Sequence, residues 1–326
     1  MRSLSICTIA TLGLVVAATL PCSAQTPAPA APTSSVEQAT FNAPPQVPQT
    51  AVAATGTPAE HFKRAQALAA QKKWDEAKAE ISEALRLDPV NSHVYYLFRS
   101  QVHRLEGDYE DAVRDAEMVM ALRPQVADAY LLRAMVWSKR GLHQQTIRDL
   151  DKALELEPET LAAYVMRGNA HRAMGDESRA LADYTEALRR SPKDATLHWN
   201  RGNAHWQLGN NAEAQADYEA ALALEPAKPQ FLLTAASFHS TCADAAFRNA
   251  AKAFDYAKRA GEATGWTDWT ALAALADAYA EAGDFANAGQ MTAKALESAP
   301  AGEHAWLRDR QTMFQAGKTF RTASKR

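Results

Sequence analysis

Cysteine is nearly absent, with Cys7, Cys22 and Cys242 the only three in 326 residues. The first two fall in an N-terminal stretch that reads as a cleaved leader. Cys242 would then stand alone, which excludes an internal disulfide and leaves packing to hold the fold. An excess of one charge is lacking too. Thirty-five Lys and Arg meet 38 Asp and Glu, for a formal net charge of −3. That balance gives no electrostatic footing for nucleic acid or an anionic membrane. The basic residues of the tail, Lys318, Arg321, Lys325 and Arg326, are expected to be solvated. Enzyme signatures are missing: the sequence has no His-Glu-x-x-His, no Gly-x-Ser-x-Gly and no Gly-rich phosphate loop. No cofactor is implied.

The one long apolar run, Leu4 to Leu20, is short for a membrane span and is followed by Pro21. With Arg2 before it and Cys22-Ser23-Ala24 after it, residues 1–24 read as a secretory signal cut ahead of Gln25. Pro21 directly before Cys22 argues against a lipoprotein signal. Residues 25–57 are rich in Ala, Pro, Thr and Gln and carry a single charge, Glu37, as a flexible linker does. The expectation is an exported chain, periplasmic in the first place and secreted in the second. No membrane span would remain after cleavage.

What the chain does have is a repeat. Pro89, Pro124, Pro158, Pro192 and Pro226 are spaced by 35, 34, 34 and 34 residues. Ala84, Val119, Ala153, Ala187 and Ala221 precede them by five, and Ala77, Ala112, Thr146, Ala180 and Ala214 by twelve. Gly107, Gly141, Gly175 and Gly209 precede by seventeen, with Lys72 in the first copy. A fixed period of this length specifies stacked helical pairs, each too small to bury its apolar face alone. In residues 161–194, Tyr164, Gly168 and His171 share one face of a first helix, which Gly175-Asp176 ends. Ala180, Tyr184 and Ala187 line a second helix, which Pro192 closes.

This grammar resembles the tetratricopeptide repeat, or TPR, over residues 58–300. "AYVMRGNAHRAMGDESRALADYTEALRRSP" carries most of that motif and "WNRGNAHWQLGNNAEAQADYEAALALEP" carries it again. The resemblance implies an all-α superhelix of about seven helix-turn-helix repeats. The copies are 58–91, 93–126, 127–160, 161–194, 195–228, an irregular 229–266, and 267–300. Residues 301–326 supply a capping helix over about 303–317, with Arg308, Asp309 and Arg310 among its polar residues, and then the basic tail.

Comparing copies suggests a structural ion pair. Arg64, Arg99, Arg133, Arg167 and Arg201 are each followed sixteen residues later by an acid: Glu80, Asp115, Asp149, Asp183 and Asp217. In the sixth copy the pair becomes Thr234 and Ala253, and in the seventh Leu275 and Met291, so both members change together. A partly buried bridge between the two helices of one repeat is expected.

By the same resemblance, ligands lie on the concave face that the first helices line. Gln101, Arg104, Met135, Asn169, Arg172, Trp199, Asn200, Asn203 and Trp206 fall at its positions, with Leu97, Lys139 and Gln207 beside them. Asn amides, Arg and Trp suit an extended peptide, whose backbone, carboxylates and apolar side chains they would meet. Phe62, Leu97, Leu131, Val165 and Trp199 hold the fifth positions. None is Lys, so the carboxylate clamp of chaperone-docking relatives is not expected. His103, His171 and His205 occupy equivalent places about a helix-pair width apart, too far to share an ion. The reading is a non-catalytic scaffold for a protein or peptide partner in the cell envelope, with self-association open. The alternative is an accessory subunit of an envelope enzyme or assembly machine. Thiol or metal chemistry at Cys242 and His239 ranks last.

Overall fold

The computed structural model describes residues 56–322. The expected signal residues 1–24, most of the expected linker, and Lys325 and Arg326 lie outside the described residues. Fifteen α-helices run through the described part. Its only strand-like pairing is an isolated parallel bridge between Cys242 and Thr322. No described helix is long and apolar enough to cross a membrane.

One compact unit ends at Tyr95 and a second begins at Tyr96. In the first, α1 (Pro58–Ala70) packs on α2 (Trp74–Leu87). Thr57, at the end of the expected linker, belongs with α1. Its hydroxyl accepts from the Glu60 backbone while the Glu60 carboxylate accepts from Thr57, a closed capping box with Pro58 in the first turn.

The second unit starts within α3 (Ser92–Glu106) and continues through α4 (Tyr109–Leu122), α5 (Ala127–Lys139), α6 (His143–Leu156), α7 (Leu161–Ala173) and α8 (Glu177–Arg190). Next come α9 (Ala195–Gln207), α10 (Asn211–Leu224), α11 (Pro229–Thr241), α12 (Ala250–Ala263), α13 (Trp269–Glu281), α14 (Phe285–Ser298) and α15 (His304–Gln315). From α5 onward each first helix packs on its own second helix, and that helix packs on the next repeat. First helices of adjacent repeats also touch, α5 on α7 and α11 on α13. This is the expected all-α repeat fold.

The Gly-Asp dipeptide does two tasks at once. Gly175 turns the chain at φ 79°, and the Gly175 and Asp176 amides donate back to the Arg172 and His171 carbonyls, closing α7. The Asp176 carboxylate then accepts from the Arg179 amide and starts α8. Packing between the paired helices follows side-chain volume. A Cβ on Gly168 would lie 2.9 Å from the Tyr184 ring, and one on Gly202 would lie 2.9 Å from Tyr218. In the third copy Ala134 meets the smaller Leu150.

The sixth repeat departs from the rule. α11 ends at Thr241 without a glycine, and Cys242 continues at φ −51°, ψ 134°. A 3-10 turn at Ala245–Phe247 precedes α12, whose cap is Asn249. Two expectations need correction. Arg310, read among the polar residues of the capping end, is only 7% exposed and faces Asp277 at 3.3 Å. Arg321, read as a solvated tail residue, bonds Glu281 at 2.7 Å. Both arginines found acids on α13, which no local pattern in the tail announces.

Candidate functional site

The arginine positions lie beside their acids. Arg99 meets Asp115 at 2.7 Å, Arg133 meets Asp149 at 2.8 Å and Arg167 meets Asp183 at 2.7 Å. Arg201 meets Asp217 at 2.8 Å, and in the first unit Arg64 meets Glu80 at 3.0 Å. The four aspartates are buried, and Arg99, Arg133, Arg167 and Arg201 grip them through two nitrogens, the fork geometry that arginine favours. Comparing single copies missed a further contact. Arg133 also reaches Glu117 at 3.0 Å and Arg167 reaches Asp151 at 2.6 Å, both on the second helix of the repeat before. The guanidinium therefore ties neighbouring repeats as well as the two helices of its own. Where the pair is lost, other contacts stand in its place. Thr234 accepts from the Trp199 indole at 2.9 Å, and Leu275 and Met291 share one apolar cluster.

On the first-helix face, Asn169 and Asn203 repeat one device. The Tyr184 hydroxyl donates to Asn169 Oδ1 at 2.8 Å, and the Tyr218 hydroxyl donates to Asn203 Oδ1 at 2.9 Å. Burial pushes the Tyr184 phenol up to about 12 and raises that of Tyr218 well above the usual phenol range, which keeps both hydroxyls protonated as donors. Each amide thus has its oxygen engaged while its NH2 group keeps its donors. Both asparagines are partly exposed. The sequence held a signal for this pairing. Asn stands beside Gly where Tyr follows fifteen residues later, whereas the third copy has Met135 with Leu150.

The other expected positions divide by burial. Asn200 is 5% exposed and accepts from Arg172 at 3.1 Å. Trp199 stacks on Phe231 with ring centres 5.8 Å apart, and Arg172 lies 6.0 Å from the Trp199 ring. Trp206 packs against Tyr218, Phe238 and Cys242. It also borders a cavity of about 140 Å³ with Gln207, Asn211, Asp244 and Thr322. Leu97 belongs to the core. Arg104 buries its Nε without a hydrogen-bond partner, and desolvation lowers its guanidinium pKa. Gln101 and Met135 are partly exposed, and Lys139 is exposed.

The Cys242 neighbourhood is apolar. The thiol is 1% exposed and burial pushes it up, away from the thiolate that nucleophilic or ligand chemistry needs. The His239 ring donates Nδ1–H to the Phe247 carbonyl at 3.0 Å and stacks on Tyr256. Among the described residues, His103, Asp108 and Asp111 bring possible ligand atoms within 4.8 Å of one another. Asp108 there caps α4 and Asp111 pairs with Arg114, so the turn accounts for both acids.

A family model described as tetratricopeptide repeat matches residues 140–195 and 165–230, and a second of that description matches residues 58–89. No curated protein sequence matches. Among solved structures, the chain is similar to a tetratricopeptide repeat protein from Parabacteroides merdae ATCC 43184. The identity is 13% over 79% of this chain and 98% of that one, with a TM-score of 0.51. It is also similar to a chain of the APC/C hetero-tetramer Cut9-Hcn1, at 16% identity over 78% of this chain and 49% of that one, TM-score 0.51. The MamA protein aligns at 21% identity over 53% of this chain and 94% of that one, TM-score 0.47. At such identities the likeness is one of fold.

Proposed function

We propose, on the premise that this chain is a tetratricopeptide-repeat protein, that it is a non-catalytic scaffold holding an extended segment of a partner protein. The site is the first-helix face of α7 and α9. The observation that carries this reading is the pair of tyrosine-anchored amides at Asn169 and Asn203. Their donors recur one repeat apart with fixed orientation, a spacing of about 10 Å that suits carbonyls about three residues apart on an extended peptide. Arg172 adds a cation beside them. The signal-like residues 1–24 support export and work in the envelope, either as an independent scaffold or as an accessory subunit of a larger machine.

The test is capture from envelope extract with the full chain beside an Asn169→Asp/Asn203→Asp variant. Aspartate still accepts from both tyrosines but replaces each amide donor with a carboxylate that cannot donate. A partner recovered by the wild type and lost by the variant is the expected outcome. A partner retained by the variant overturns the site. Self-association alone would overturn the partner reading. The N-terminal sequence of the recovered chain is expected to begin at Gln25, and an uncut Met1 there would contradict the signal.

A further inference from the structure

The C-terminal segment lies on the second unit the way a bound peptide would. After α15 the chain turns at Gly317, with φ 64°, and residues 318–322 run back to α11. There the Thr322 amide donates to the Thr241 carbonyl at 2.9 Å, and the Arg321 guanidinium donates to the Ser240 carbonyl at 3.0 Å. The two threonine hydroxyls lie 2.8 Å apart. Those carbonyls are the free end of a helix that lacks a glycine cap, so the segment supplies donors that the repeat itself omits. Arg321 also bonds Glu281 at the end of α13. Phe320 covers one face of the Arg310 guanidinium at 4.0 Å while Trp306 covers the other at 3.9 Å.

None of these contacts is core packing. Phe320, Arg321 and Thr322 all stay partly exposed. Main-chain hydrogen bonds, one arginine on a carboxylate and one aromatic in a cationic slot are the means by which extended peptides are recognised. Glu281, which Arg248 holds at 3.0 Å and Arg321 at 2.7 Å, and Asp244 beside Thr322 place two acids on the receiving surface, and Lys318 and Arg321 make the segment basic. The cavity also borders Trp206 and Gln207, where the first-helix face ends.

We infer that the ends of α11 and α13 form a binding site for an extended segment of a partner protein carrying an aromatic residue followed by arginine, and that residues 318–322 are its intramolecular occupant. The site uses Glu281, Arg310 and the Ser240 and Thr241 carbonyls, and is separate from the asparagine face. A partner segment of this chemistry gains access by displacing the occupant, so its apparent affinity is reduced by the fraction of closed molecules.

A labelled peptide Lys-Thr-Phe-Arg-Thr tests this by fluorescence anisotropy against the full-length wild type and a Phe320→Ala/Arg321→Ala variant. The variant is expected to bind at least about tenfold more tightly, because its own segment no longer competes. A peptide with Ala in place of Arg is expected to lose that binding. Equal affinity for both proteins, or for both peptides, overturns the inference. Hydrogen exchange on the wild type gives a second readout should the variant lose helix. Excess peptide is expected to remove protection from the Thr322 amide, and unchanged protection also overturns the inference. Replacing Asn169 and Asn203 by aspartate leaves this binding unchanged, so the two sites fail or stand separately.

Discussion

Lys72 sits at φ 59°, in the turn where later copies place glycine. A side chain there crowds the following carbonyl and costs about 1 kcal/mol. Lys72→Gly is therefore expected to stabilise the first unit by no more than about 0.5 kcal/mol after the added freedom of the unfolded chain is set against it. Urea unfolding measures the gain, and a loss would show that the lysine makes a compensating contact. The asparagines give a second lesson at this scale. Asn169 and Asn203 read as ligand donors from their position alone. Their oxygens also satisfy Tyr184 and Tyr218, hydroxyls too buried to be left unpaired. The residue type was legible in the sequence, but its partner lay fifteen residues away on another helix.

Within a helical pair, charge and volume are matched position by position. Arg167→Leu leaves the Asp183 carboxylate, 5% exposed, without its partner. The expected cost is roughly 3 kcal/mol, at the low end for a buried pair because the arginine keeps some solvent. Adding Asp183→Met reproduces the Leu275 and Met291 solution of the seventh repeat and is expected to restore most of that loss. Equal melting temperatures for the single and double variants would contradict it. Asp151, which Arg167 also touches, is 56% exposed, so its contact contributes well under 1 kcal/mol. The sequence exposed the Asp183 partner because both members vary together between copies. Asp151 stayed hidden, since it belongs to the neighbouring repeat, where only stacking brings it near.

At the scale of the whole chain, buried titratable groups set how stability depends on pH. Burial lowers the pKa of His239, so the unfolded chain takes up a proton before the folded one does. Its contribution is present above about pH 6.5 and is lost as the pH falls. Asp277 acts in the opposite sense. Burial raises it to about 6, so its contribution is fullest at low pH and fades as the pH rises through that value. A His239→Gln variant is expected to lose less melting temperature than the wild type between about pH 7.5 and 5.5. Equal losses would place the acid sensitivity elsewhere.

The sequence by itself determined the helical pairs, their turns and their ion pairs. Each of these rests on contacts within one copy of roughly 34 residues, and several copies repeat the evidence. Only the tertiary structure decided which side chains remain available. Trp206 packed one side against the core, Arg310 became buried, and residues 318–322 came to rest on Thr241, 81 positions from Thr322. Those outcomes depend on partners brought close by stacking, and a periodic pattern carries no record of contacts that occur once.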